Sequence, residues 1–202
     1  KGIGNAGADS ERLMVWNEDW SLKGQDEKHL IEAVKSGMGI KLQLVPMKEL
    51  VFHGQNGISK KGSKIGNASH YFSYTRMKTS GTVFMHGKAY KVLGTSWMDH
   101  EYSSNQLNDE LAGWDWFSLK LDNQTELMLY QLRRKAGGVD SFSSGTLVSA
   151  DGVTRHLKRN EFTVRPLTQW KSKRSGITYP SGWKLELPSF GVKLSLLPDL
   201  HD

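Results

Sequence analysis

The strongest constraint on this chain is a period of two. HYFSYTRM (70–77) alternates His70, Phe72, Tyr74 and Arg76 with Tyr71, Ser73 and Thr75, and an extended strand sends successive side chains to opposite faces. WFSLKLDNQTELMLYQLRR (116–134) reads as two such runs around Asp122 to Thr125, and TLVSADGVTRHL (146–157) as two shorter ones around Ala150-Asp151-Gly152. GTVFMHGKAYKVLGTSWM (81–98) adds a third hairpin, turning at Gly87-Lys88. With 21 glycines punctuating these runs, the expected fold class is all-β, built from antiparallel strands.

One segment resists. KHLIEAVKSG (28–37) is made of helix formers with Leu30, Ile31 and Val34 at helical spacing. The next run, MGIKLQLVP (38–46), alternates cleanly and needs an antiparallel partner. A strand through His29 to Val34, turning at Ser36-Gly37, supplies one, and strand is the reading adopted.

Composition removes several classes of function. The chain has 202 residues, 37% of them hydrophobic, enough to bury a core, and no apolar run of about 18 residues that would span a membrane. The absence of cysteine excludes disulfides, thiolate metal sites and a cysteine nucleophile. The formal charge of +6 comes from clusters such as SKKGSK (59–64), RRK (133–135) and KSKR (171–174) in glycine- and serine-rich surroundings. These read as solvated loops, so no nucleic-acid partner is expected. The opening KGIGNAG shows neither an initiator Met nor an apolar signal core, which leaves the compartment open.

A compositional shift near Trp170 divides the chain. KSKRSGITYPSGW (171–183) is turn-rich and basic, after which WKLELP and VKLSLLP resume the alternation. Residues 1–170 are read as one domain and 171–202 as the start of a second, whose strands have no obvious partners.

The chemistry-bearing residues concentrate in GTSWMDHEYSS (94–104). On a strand, Trp97, Asp99 and Glu101 share one face, and Met98, His100 and Tyr102 the other. In the following hairpin Asp115 and Phe117 share a face opposite Trp114 and Trp116. A carboxyl group walled by aromatic rings is held toward its protonated form by desolvation, and a second carboxylate adds to that. Indole and phenol faces could stabilise a developing cation. This combination suits addition of water to an alkene or general-acid hydrolysis of a lipid-like substrate. On that reading Asp99 is the general acid, Glu101 or Asp115 holds its proton or orients water, and His100 is a relay. Trp97, Tyr102, Trp114, Trp116, Tyr130 and Tyr74 shape the cavity.

The competing reading is structural: strand tryptophans fill a core, and Asp99 and Glu101 bind backbone amides or a cation such as Arg76. Asp99, His100 and Glu101, with His53, His70 and His86 on neighbouring segments, have ligand chemistry. Adjacent strand residues face opposite ways, however, and no H-x-H or H-E-x-x-H spacing occurs, so no metal is expected. A G-x-S-x-G elbow and glycine-rich phosphate or dinucleotide loops are absent, and no cofactor is expected.

WNEDWSL (16–22), KELVFHGQNGISKKG (48–62), ASHYFSYTRM (68–77), GTSWMDHEYSS (94–104), GWDWFSLKLDNQTELMLYQLR (113–133), SGTLV (144–148) and YPSGWKLELP (179–188) together resemble the carotenoid 1,2-hydratase and AttH-like family. Its bacterial members are often called predicted secreted hydrolases. The resemblance runs from about Leu13 to Pro188. It implies a lipocalin-like antiparallel β-barrel over 1–170, lacking its first strands, and the start of a second lipocalin-like barrel over 171–202. It also implies a ligand cavity and export to the periplasm or beyond. The hydratase branch adds water to the terminal double bond of an acyclic carotenoid without a redox cofactor, whereas the WMDHE form here is similar to the AttH-like branch. The expected partner is a hydrophobic small molecule, isoprenoid or lipid-like. Peripheral membrane contact and a non-catalytic carrier or export-accessory role stay open, because a shared barrel does not fix a reaction.

Overall fold

The computed structural model describes residues 4–104 and 108–199. Among them the chain forms sixteen strands: β1 Ala6–Ala8, β2 Met14–Asn17, β3 Trp20–Gln25, β4 Lys28–Lys35, β5 Met38–Pro46, β6 Val51–Phe52, β7 Ile58–Lys60, β8 Ala68–Met85, β9 Lys88–Tyr102, β10 Leu111–Lys120, β11 Glu126–Arg134, β12 Ser144–Val148, β13 Thr154–Lys158, β14 Thr163–Lys171, β15 Thr178–Leu187 and β16 Val192–Leu196. The pairings β1–β2–β3–β4–β5–β8, those of β6 and β7 with β8, β10–β11–β12–β13 and β14–β15–β16 are all antiparallel. The ambiguous segment is strand β4, paired with β5 from His29↔Leu44 to Lys35↔Met38. Its helix-forming composition loses to the neighbouring strand's demand for a partner.

Contacts group into two units, the first of Lys1–Phe52, Phe72–His100 and Ala150–Gly152, the second of His53–Tyr71, Glu101–Ser149 and Val153–Asp202. In the first, β1 to β5 form a meander that continues into β8, with β6 and β9 also on β8. Its hairpins turn where the backbone must become left-handed. Ser36 (φ 52) and Gly37 (φ 77) join β4 to β5, and His86 (φ 51) and Gly87 (φ 77) join β8 to β9, the two positive φ angles that a type I′ turn requires. The second of these turns lies one residue earlier than the expected Gly87-Lys88. A closer constraint sits at Gly81 (φ +151), where a Cβ would fall on the Lys41 carbonyl oxygen and beside Leu42.

In the second unit, β10–β11–β12–β13 and β14–β15–β16 are separate sheets. Phe117, Leu127, Leu129 and Leu157 of the first meet Val164, Leu185 and Leu187 of the second, with Phe162 between strands, in one fully or nearly buried cluster. The last strands therefore have partners in each other, and the compositional shift after Trp170 falls at the end of β14. β11 is buried on both faces: Leu127 and Leu129 enter the core, while Tyr130 and Leu132 point the other way.

Burial also sets one ionisation. His53 lies with Nδ1 2.8 Å from Thr146 Oγ1. Burial first, then the positive charges of Lys61 and His156, push its pKa down from 6.5 to about 3. The unfolded chain thus binds a proton that the fold excludes between these values, so His53 contributes stability present above pH 6.5 and lost as pH falls toward 3.

Two outcomes are expected. Gly81→Ala should destabilise by about 2–4 kcal/mol in urea unfolding, from strain and overpacking together; a loss below ~0.5 kcal/mol would show that the strands separate freely there. Between pH 6.5 and 5 the wild type should lose on the order of 2 kcal/mol more than His53→Gln. Equal slopes for the two proteins would place the titration elsewhere.

Candidate functional site

Two strands decide where the chemistry goes. β8 presents Ser69, Tyr71, Ser73, Thr75 and Thr79 on its buried face, and hydroxyls are unusual there because a buried polar group needs a partner. In each unit β9 supplies one. In the first unit Ser73 Oγ donates to Asp99 Oδ1 at 2.5 Å, and the Trp97 indole nitrogen donates to the same oxygen at 2.9 Å. In the second unit Ser69 Oγ donates to Glu101 Oε1 at 2.5 Å. The opposite face carries aromatic pairs: His100 stacks on Phe72 with centroids 4.7 Å apart, and Tyr102 on His70 at 5.1 Å. The alternation expected for this strand therefore holds on both sides.

A cavity of about 70 Å³ lies in the second unit, lined by Lys61, Tyr71, Glu101, Trp114, Trp116, Tyr130 and Leu132. Four of the expected residues meet here: Glu101, Trp114, Trp116 and Tyr130. Trp114 and Trp116 come from one face of β10 and Tyr130 and Leu132 from one face of β11, paired as Trp116↔Tyr130 and Trp114↔Leu132. The Trp116 indole nitrogen donates to the Tyr71 hydroxyl at 3.1 Å, fixing that ring. The Tyr130 hydroxyl accepts from Ser144 Oγ at 2.8 Å, donates to the Lys60 carbonyl at 3.3 Å and lies 3.1 Å from Ser59 Oγ.

Lys61 organises this wall. Its side chain is 8% exposed, with Nζ 3.2 Å from Glu101 Oε1, 3.0 Å from Ser59 Oγ and 3.6 Å from the centre of the Tyr130 ring. A buried ammonium is costly unless paired, and here a carboxylate, a hydroxyl and a π face offset that cost. This corrects the reading of SKKGSK as a solvated loop: Lys61 and Gly62 are buried. The available signal was the spacing of two between Ser59, in β7, and Lys61, the residue after its end.

Other expected residues lie elsewhere. Asp115 faces away from the cavity: Gln131 Nε2 donates to its Oδ2 at 3.0 Å, and Arg133 Nε is 3.5 Å from its Oδ1. Asp99, Trp97 and His100 belong to the first unit, as does Tyr74, which meets the edge of His29 at 5.4 Å. Tyr102 is 52% exposed. Lys61, Tyr71, Ser59, Ser69 and Ser144 were not anticipated as site residues. Chemically, the cavity offers aromatic faces for an apolar or cationic group and one carboxylate–ammonium pair at its wall.

The AttH-like family model matches residues 1–202. Among solved structures, an AttH protein of Nitrosomonas europaea superposes with a TM-score of 0.86 at 28% identity, over 96% of this chain and 60% of that one. Kievitone hydratase of Nectria haematococca superposes with a TM-score of 0.65 at 17% identity, over 93% of this chain and 54% of that one, a likeness of fold alone. This chain thus spans about 60% of the length of the N. europaea protein. No curated protein matches it. The antiparallel sheets, the registers and the full-length family match lead to one conclusion: the chain belongs to the AttH-like family and has a lipocalin-like fold.

Proposed function

We propose that this protein binds the end of an apolar, isoprenoid or lipid-like molecule and adds water to it, or removes water from it, without a redox cofactor. The observation that carries this reading is the placement of Glu101 in a cavity walled by Tyr71, Trp114, Trp116 and Tyr130. The Lys61–Glu101 pair takes the acid–base role: Glu101 passes a proton from the Lys61 ammonium to a double-bond carbon, and the pair recovers one from the water that adds, so that no other co-reactant is needed. The indole and phenol faces support the intervening positive charge through their ring quadrupoles. About 70 Å³ holds a few heavy atoms, so a terminal group enters while the rest of the ligand lies outside. The fold likeness to kievitone hydratase is in keeping with such chemistry and does not by itself assign it.

The Lys61–Glu101 ion pair favours a second reading, recognition without turnover, because a satisfied pair is a ready polar handle for a ligand headgroup. One experiment separates them. The protein is incubated with a prenyl-terminated alkene in ¹⁸O-labelled water and the products are read by mass spectrometry. Turnover should yield an alcohol carrying ¹⁸O, and Glu101→Gln should lower its rate by about 10²–10⁴-fold. Ligand recovered unchanged but bound by the wild type would establish the carrier.

A further inference from the structure

The second unit holds another concavity, an open groove of about 600 Å³ whose lining includes Gln55, Lys60, Ser141, His156, Lys158 and Arg159. We propose that this groove binds a phosphate-type oxyanion carried by a small ligand or a lipid headgroup. The proposal goes beyond the hydratase-like reading and does not depend on it.

Charge is the first argument. Two lysines and an arginine line the groove, and no Asp or Glu is among its described lining residues, whereas the whole chain has 27 basic residues against 21 acidic ones. A cleft lined by one sign of charge concentrates counter-ions of the other. The acids nearest in sequence are already engaged. Asp140 accepts from Arg134 Nε at 2.8 Å and from the Phe142 amide at 2.9 Å. Glu161 accepts from Arg155 Nη2 at 3.0 Å and from the Lys158 amide at 2.9 Å.

Position is the second. Lys60 ends β7 and Lys61 follows it, and their side chains part: Lys61 lines the aromatic cavity and Lys60 the groove. Arg159 is steadied by the bond from Nη1 to the Phe162 carbonyl at 2.9 Å, which holds a planar fork suited to oxyanions at the groove. Ser141 adds a hydroxyl.

The probe is inorganic phosphate, titrated at low salt and followed by calorimetry and amide chemical shifts. Saturable binding is expected, weakened at least fivefold in a Lys60→Gln/Lys158→Gln variant. A Lys171→Gln/Lys173→Gln control removes the same charge from another basic stretch and should leave binding unchanged. Absence of saturable binding, or an equal loss in the control, overturns the proposal, since only bulk charge would then be at work. A second arm uses phosphatidylglycerol and phosphatidylcholine vesicles. Co-sedimentation with the anionic vesicles alone, lost in the groove variant, supports the proposal with a headgroup as the source. Phosphate binding without co-sedimentation supports it with a soluble ligand.

Discussion

The candidate site depends on how one ammonium is kept out of water. Lys61 is almost wholly buried, and an isolated buried charge would be intolerable in a domain stabilised by only about 5–15 kcal/mol. Three neighbours make it tolerable: the Glu101 carboxylate, the Ser59 hydroxyl and the Tyr130 ring. Each is in turn held by something else. Ser69 grips Glu101, while Ser144, Ser59 and the Lys60 carbonyl fix the Tyr130 hydroxyl. Removing one partner would leave the others mispaired, which is why such networks position a site more firmly than isolated contacts do.

β9 can place Asp99 and Glu101 on one face because β8 offers Ser73 and Ser69 to receive them. The two acids nevertheless have different surroundings. Asp99 in the first unit is held by a serine and an indole, and Glu101 in the second lines a cavity opposite a lysine. Sequence proximity of acids is therefore a poor guide to a shared role.

Much of the architecture was legible from alternation alone. The four hairpins expected from alternation were located to within a residue, and β4 was recovered against its own helical propensity because β5 needed a partner. The faces of β9 and β10 were also assigned from spacing, including Trp114 and Trp116 on one side and Asp115 on the other. What stayed hidden depends on tertiary burial. Lys61 looks like a loop cation in SKKGSK until Glu101 and Tyr130 are seen against it, and locally only its spacing of two from Ser59 separates it from Lys60. Asp115 shares a strand with the cavity tryptophans, yet its partners Gln131 and Arg133 lie on a strand whose register no spacing rule supplies.

β11 is packed on both sides, with leucines inward and Tyr130 and Leu132 against the cavity. Such a strand opens only when the whole domain does, so it is an immovable back wall. The indoles across from it are the reverse, Trp114 being 55% and Trp116 42% exposed. On the proposed reading a guest would meet that half-exposed side of the chamber first, and its exchange would depend on the indoles rather than on any breathing of the sheet behind.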